Sequence, residues 1–353
     1  MSHSRRIKTL RSHFADYPID ALLIVKNENI RYLTGFAASE SWLFLTSSKS
    51  FYITDGRYTL EARQGLKEKA IVIEHKGNLA EKLFELAKQN KIKKIGFDEG
   101  HVTLAHYKMI KAKCPAGIKL IPANGTVEKL REIKDKEEIR HIKSALKLHA
   151  QTLSYLKRFI RPGVSERDIY LKLEQYVKAK KAEFSFSPIV ASGPNSAFPH
   201  ARITERIIKK NDVVLLDMGI DWQDYTSDLT RMFFLGKIPQ LIEEGNTYVA
   251  ESKRRAIEKI DPGVPVAVAD QAARSFLAKK KLDKYFNHSL GHGVGLEIHE
   301  SPRLSQKSKA VFQEGMIVTV EPAVYLSGKF GIRLEDMVLV TRHGCEILSE
   351  YIH

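Results

Sequence analysis

At 353 residues the chain is long for one core, so its length implies two domains. Hydrophobic residues make up 43% and charged residues 28%, with no low-complexity tract, which excludes a disordered or fibrous chain. The formal charge of +15 sits in short groups such as "KAKK" and "AKKKLDK", interleaved with apolar positions at helical spacing. These read as solvated helix faces; no dense basic stripe or known motif points to nucleic acid.

The opening "MSHSRRIKTLRSHFADY" has basic residues but no apolar h-region, so no signal peptide is expected. No apolar run approaches the roughly eighteen residues of a membrane span. Cys114 and Cys345 stand far apart and outside any C-x-x-C spacing, as suits a reducing compartment. The expectation is a cytoplasmic protein with no membrane partner.

In chain order, "ALLIVKN", "SWLFLTSS" and "KSFYITD" read as strands, "LAEKLFELAKQN" as an amphipathic helix and "KKIGFD" as another strand. That alternation predicts an α/β domain. Turn residues Pro122, Asn124 and Gly125, followed by a charged helix start, mark the crossing, giving domains of 1–126 and 127–353. The second part repeats itself. Ile160, Pro162, Gly163 and Val164 recur as Ile260, Pro262, Gly263 and Val264. Each copy follows a helical pattern (about 136–159 and 240–259) and precedes another (about 165–181 and 265–280). Ser165 with Asp168 forms a capping-box pattern, and Pro265 suits a first helical turn. Each copy then reaches a β run, "DVVLLDMG" or "GMIVTVEP", in which Asp217 corresponds to Glu321. The matching order implies an internal duplication.

The β runs continue as hairpins. A two-residue turn at Trp222-Gln223 would set Asp217 directly across from Asp228, and a three-residue loop at Ser327-Gly328-Lys329 would set Glu321 across from Glu335. Opposed residues on paired strands lie about 4.5–5.5 Å apart, where like charges destabilise. The face shared with Asp217 also carries Val213, Leu215 and Gly219, a buried face, and buried carboxylates must be protonated, paired or bound to metal. Two such pairs in corresponding places point to a metal site. Four carboxylates suit hard cations, a histidine shifts the preference toward Mn²⁺, Fe²⁺, Co²⁺ or Zn²⁺, and bridging carboxylates can hold two ions about 3.5–4 Å apart.

The segment "HSLGHGVGLEIHESPR" (288–303) is neither a dinucleotide fingerprint, since Gly291, Gly293 and Gly295 alternate, nor a zincin helix, since Arg303 stands where the second histidine belongs. It is read as the source of the nitrogen ligand, with glycines that let the backbone approach the metals.

Together, "SGPNSAFPHAR", "LLDMG", "SDLTR", "GHGVGLEIHE", "TVEPAVY" and "RLED" resemble the pita-bread metallopeptidase family, which includes aminopeptidase P, prolidase and methionine aminopeptidase. "NIRYLTGF" and "TDGRYTLEAR" resemble the N-terminal domain of aminopeptidase P and its relatives. The resemblance implies an α+β protein with an N-terminal α/β creatinase/aminopeptidase-P-like domain and a pseudo-two-fold catalytic domain. It implies two divalent cations, Mn²⁺ first and Co²⁺, Fe²⁺ or Zn²⁺ as alternatives, on Asp217, Asp228, His292, Glu321 and Glu335. A metal-bridging hydroxide would attack the scissile carbonyl. Glu321 would shuttle the proton, His299 donate to the oxyanion and His200 orient the substrate, with His288 near the substrate pocket. Arg333 would neutralise carboxylate charge.

Within the family, the linked N-terminal domain argues against methionine aminopeptidase, and the full ligand set argues against creatinase and against non-catalytic binding modules. The expected activity is removal of an N-terminal residue ahead of proline from peptides, by a homodimer. The alternative is an Xaa-Pro dipeptidase using Arg303 to hold the dipeptide carboxylate.

Overall fold

The computed structural model describes residues 2–352. The chain forms two compact units that divide between Arg131 and Glu132. In the first, strands β1 (Ala21–Ile24), β2 (Trp42–Thr46), β3 (Ser50–Thr54), β4 (Ile71–Glu74), β5 (Lys94–Phe97) and β6 (Lys119–Pro122) form one sheet in the order β4-β3-β2-β1-β5-β6. The β1–β2 and β2–β3 pairs are antiparallel and the others parallel. Helices α1 (His3–Ser12), α2 (Asn27–Thr34), α3 (Thr59–Leu66), α4 (Leu79–Gln89) and α5 (Leu104–Lys113) connect them, and α6 (Thr126–Glu132) ends the unit. The strands and the helix read from the alternation all form. Helix α4 shows why: Asn78 caps the Ala80 N–H, and Ala80, Leu83, Phe84 and Ala87 form one buried stripe at helical spacing.

The second unit begins with α7 (Lys136–Leu156) and α8 (Glu166–Ala179). Both start in capping boxes, Asp135 with Glu138 and the expected Ser165 with Asp168. Strands β7 (Glu183–Phe184), β8 (Ile189–Ser192), β9 (Val213–Trp222) and β10 (Tyr225–Phe234) follow, with both β7 and β8 pairing with β9. After α9 (Gln240–Ile257) and α10 (Val266–Lys279) come β11 (Gly291–Gly293), β12 (Glu300–Leu304), β13 (Ile317–Val320), the hairpin β14 (Ala323–Leu326) and β15 (Phe330–Arg333), β16 (Asp336–Val340) and β17 (Cys345–Ile347). Their sheet runs β12-β11-β13-β16-β17.

The duplication is visible in the hydrogen bonds. Gly163 N–H donates to Ile208 O and Ile208 N–H to Val164 O, at 2.9 and 2.8 Å. Gly263 N–H donates to Phe312 O and Phe312 N–H to Val264 O, both at 2.9 Å. Both Pro-Gly-Val turns are thus tied identically to the segment that leads into the central strand. Alternation on β9 then sorts the side chains. Val214, Leu216, Met218 and Ile220 join a core with residues of α7 and α8, while Asp217 lies on the opposite face with Leu215.

The first hairpin differs from the sequence expectation. Its two-residue turn is Gln223-Asp224, not Trp222-Gln223, and the ladder pairs Trp222 with Tyr225, Asp217 with Thr230 and Asp228 with Gly219. Such a turn needs positive φ at both central positions, and Gln223 and Asp224 supply 56° and 69°. Bulky Trp222 instead stays extended in the strand. Moving the turn by one residue moves the register by two, so Asp217 and Asp228 share a face as diagonal neighbours rather than as an opposed pair. In the second hairpin the three-residue loop forms as expected. Val320 pairs with Asp336 and Ala323 with Arg333, which keeps Glu321 and Glu335 opposite one another between those rungs.

The glycines also serve another purpose than expected. A Cβ on Gly291 would stand 2.0 Å from Thr319 O, and one on Gly293 would stand 2.2 Å from Ser301 O. They let β11 press against the backbones of its neighbours, and His292 between them is thereby fixed. Gly293→Ala should therefore cost about 1–3 kcal/mol. Thermal unfolding checks this against Gly77→Ala, where a Cβ has nothing within 4 Å. Equal midpoints for the two variants would refute the close approach.

Candidate metal centre

Every candidate residue lines one cleft of the second unit, with a volume of about 1010 Å³: His200, Asp217, Asp228, His288, His292, His299, Arg303, Glu321 and Glu335, together with Arg333 and Tyr325. Asp228, His292 and Glu335 bring ligand atoms within 4.8 Å of one another. Strand β9 carries Asp217 and β10 carries Asp228; Glu321 follows β13 and Glu335 precedes β16. All four carboxylates are largely buried, with Glu335 at 2%, Asp228 at 5% and Asp217 at 8% exposure. The side chain of Glu321 keeps 17%.

Hydrogen bonds orient these groups. His292 N–H donates to Thr319 Oγ1 (3.1 Å), and its Nδ1–H donates to Gly293 O (3.0 Å). That leaves Nε2 as the bare ring nitrogen, 3.5 Å from both Asp228 Oδ2 and Glu321 Oε1. Burial pushes the His292 imidazole down to about 4, so at neutral pH it is uncharged and presents a lone pair to two carboxylate oxygens. Thr230 Oγ donates to Glu335 Oε2 at 2.9 Å. Arg333 donates from Nη2 to Asp217, from Nε to Thr230 Oγ1 (2.9 Å) and from Nη1 to Pro199 O (3.1 Å) and the Tyr325 hydroxyl (2.5 Å).

The charge balance does not close. Burial first, and then Glu335, Asp217 and Glu321, raise Asp228 well above the carboxylate range. Glu321 is likewise raised, by burial and then by Glu335, and Glu335 is pushed up to about 8 by burial and Asp217. Among the described cleft residues, Arg333 is the cation that hydrogen-bonds one of these carboxylates, Asp217. Asp217 Oδ1 is buried with no hydrogen-bond partner. A neutral histidine nitrogen, an orphaned carboxylate oxygen and three carboxyls whose proton affinity is raised by burial and by one another fit divalent cations.

Asp98, His101 and Glu128 of the first unit also group ligand-type atoms, with a different balance. His101 Nε2 meets Glu128 Oε1 at 2.7 Å, and Asn29 Nδ2 donates to the same oxygen at 2.6 Å. Asp98 accepts from the N–H groups of Gly100 and Gly125 at 2.8 and 2.7 Å. Burial alone would raise Glu128, but His101 and Asn29 outweigh it and hold it at about 2. Here the imidazole and the amide favour the charged carboxylate, whereas in the cleft the carboxyls disfavour one another's charge.

The remaining candidates line the walls. The His299 ring packs edge-on against His292, with centroids 4.4 Å apart. His288 Nδ1–H donates to Ser289 O (2.8 Å) and its Nε2 accepts from the Tyr325 hydroxyl (3.2 Å); burial pushes it down to about 4. Arg303 on β12 pairs directly with His292 on β11, and its Nε donates to Ser289 Oγ at 3.2 Å. His200 sits exposed on the loop after β8.

These motifs and this cleft are shared with known proteins. Residues 140–342 match the metallopeptidase family M24 and residues 6–133 the creatinase/prolidase N-terminal domain. The chain belongs to metallopeptidase family M24. It is 36% identical to the uncharacterized peptidase YqhT of Bacillus subtilis, over 96% of each chain. Among solved structures it is similar to an Xaa-Pro dipeptidase from Bacillus anthracis (TM-score 0.94, 34% identity, 99% of this chain and 98% of that one). It is also similar to an X-Pro aminopeptidase from Thermotoga maritima (TM-score 0.87, 34% identity, 96% and 97%). Among the described residues no helix is long and apolar enough to cross a membrane.

Sequence reasoning missed Tyr325 and Thr230. Tyr325 lies four residues after Glu321 on the face that alternation assigns to the site, and Thr230 faces Asp217 once the turn is placed correctly.

Since burial and neighbouring carboxylates raise the proton affinity of Asp228, Glu321 and Glu335, protons compete with a cation there, and metal affinity should rise with pH, with protons released. Their folded pKa values lie above the unfolded ones, so the metal-free fold loses stability as pH rises through that range. The gain in melting temperature on adding Mn²⁺ should therefore be larger at about pH 8 than at about pH 6. A gain independent of pH would contradict this. Asp228→Asn should abolish tight metal uptake, read by metal analysis after dialysis.

Proposed function

We propose that this chain is an Xaa-Pro exopeptidase that prefers Xaa-Pro dipeptides, with two divalent cations, Mn²⁺ first, on Asp217, Asp228, His292, Glu321 and Glu335. The observation that carries the dipeptide preference is the placement of Arg303 directly across from His292, exposed in the cleft. A guanidinium there pairs with the C-terminal carboxylate of a dipeptide, a charge that a longer peptide does not carry at that point. Similarity to the Bacillus anthracis Xaa-Pro dipeptidase supports the same reading.

Bound cations supply Lewis acidity toward the scissile carbonyl and lower the pKa of coordinated water. Glu321 is the carboxylate suited to carry a proton to the leaving proline nitrogen. Its side chain is raised in proton affinity and still reaches the cleft, whereas Glu335 is enclosed. His299 donates to the carbonyl oxygen as it gains charge, at a site where such a donor is worth roughly 3–4 kcal/mol. His200 orients the substrate near the leaving nitrogen, and His288, uncharged and held by Tyr325, lines the pocket.

A second reading, Xaa-Pro aminopeptidase, is favoured by the size of the cleft and by similarity to the Thermotoga maritima enzyme. The Mn²⁺-loaded protein is tested on an Xaa-Pro dipeptide and an Xaa-Pro-Yaa-Zaa peptide. The dipeptide should be cleaved faster, and Arg303→Ala should raise its KM about tenfold or more while leaving the longer peptide unaffected. Preferential cleavage of the longer peptide would establish the second reading. His200→Ala and His299→Ala should lower kcat by about a hundredfold with bound metal unchanged.

A further inference from the structure

We infer that Glu166 is a positioning residue that fixes the loop bearing His200; the inference deepens the functional reading above and rests on it. Residues 193–203 join β8 to the segment before β9 and carry Pro199, His200 and Ala201 into the cleft wall. The loop contains a single 3₁₀ turn, Gly193–Ala197. Its geometry must therefore be set by what holds its ends.

One carboxylate holds both. Glu166, at the first turn of α8, is fully buried. Its Oε1 accepts from Ser192 N–H (2.6 Å) and Ser192 Oγ (2.8 Å). Its Oε2 accepts from Asn195 Nδ2 (2.8 Å), Thr204 N–H (3.1 Å) and Thr204 Oγ1 (2.6 Å). Five donors converge from the two ends of the loop, which compensates the burial of the charge and gives the loop closed ends. Within it, Ser196 Oγ accepts from Gly331 N–H (2.8 Å) and Pro199 O from Arg333, so the piece that Glu166 closes also bears on the carboxylate cluster.

The duplication supplies an internal control. The position one hundred residues later is Val266, which starts α10 with no carboxylate. Helix α8 already has its Ser165 cap. The helix start therefore does not need Glu166; the loop does. In the second copy a different device, Asp270 with Arg274, holds the 286–290 segment: Asp270 Oδ1 accepts from Leu290 N–H, and Arg274 donates to Phe286 O and His288 O.

The test uses the full chain loaded with Mn²⁺. Glu166→Gln turns an amide N–H toward groups that are themselves donors, and Thr204→Val removes one donor at an exposed position where folding is not at stake. Amide hydrogen exchange over residues 192–206 should accelerate in both variants, with metal content unchanged. kcat/KM on an Xaa-Pro dipeptide should fall about tenfold or more in Glu166→Gln. In a His200→Ala background the same substitution should cost little further, because both act through one side chain. Unchanged exchange over 192–206, or a loss fully additive with His200→Ala, would overturn the inference. Wild-type protein inactive on every Xaa-Pro substrate would remove the substrate reading alone, and the exchange comparison would still decide the clamp.

Discussion

Four carboxylates converge in one largely buried cleft with one arginine in contact, and the architecture of the second unit follows from that unbalanced charge. Without cations, burial and mutual repulsion raise the proton affinity of three of the four. The surroundings are built to keep them close in spite of this: Arg333 takes one oxygen of Asp217, Thr230 takes one oxygen of Glu335, and Thr319 lies between Glu321 and the His292 backbone. Asp336, the neighbour of Glu335, points to the other face and is neutralised separately by Arg231 and Lys253. Strand alternation thus keeps two adjacent acids in different electrostatic worlds.

Much of this was legible in the sequence. The repeated Pro-Gly-Val turns, the helix starts and the gathering of Asp217, Asp228, His292, Glu321 and Glu335 in one place rest on local or pairwise signals, and the fold brings those five residues to one cleft. What could not be read was set by contacts between segments. The first hairpin register depended on which residues tolerate positive φ, and a two-residue turn at Trp222-Gln223 looked as plausible on spacing as Gln223-Asp224. The close packing of Gly291 on Thr319 and the register that sets Arg303 beside His292 depend on how separate strands pair. Glu166, an unremarkable acid in "VSERDI", gains meaning only when residues 192 and 204 arrive beside it.

Three further cleft histidines, His200, His288 and His299, share a feature. Each rides on irregular backbone that a charged residue outside the carboxylate cluster holds in place. The Glu166 carboxylate does so for the His200 loop and Asp270 with Arg274 for His288. Glu300, tied to the Lys134 ammonium at 3.1 Å and accepting from Glu297 N–H, does so for the turn that carries His299. Loops supply the reach, and buried ionic groups supply the precision that loops lack.

The register step between the hairpins sets the two halves apart. In the first, Asp228 occupies the rung two residues beyond Asp217; in the second, the matching rung opposite Ala323 holds Arg333. A carboxylate in one half is answered by an arginine in the other. Had both halves kept the first pattern, the cleft would hold four aspartates and no internal cation, and had both kept the second, two guanidiniums would face each other across the centre. Divergence of the halves thus leaves an asymmetric lining, acids on one side and an arginine on the other, in a frame built from two similar halves.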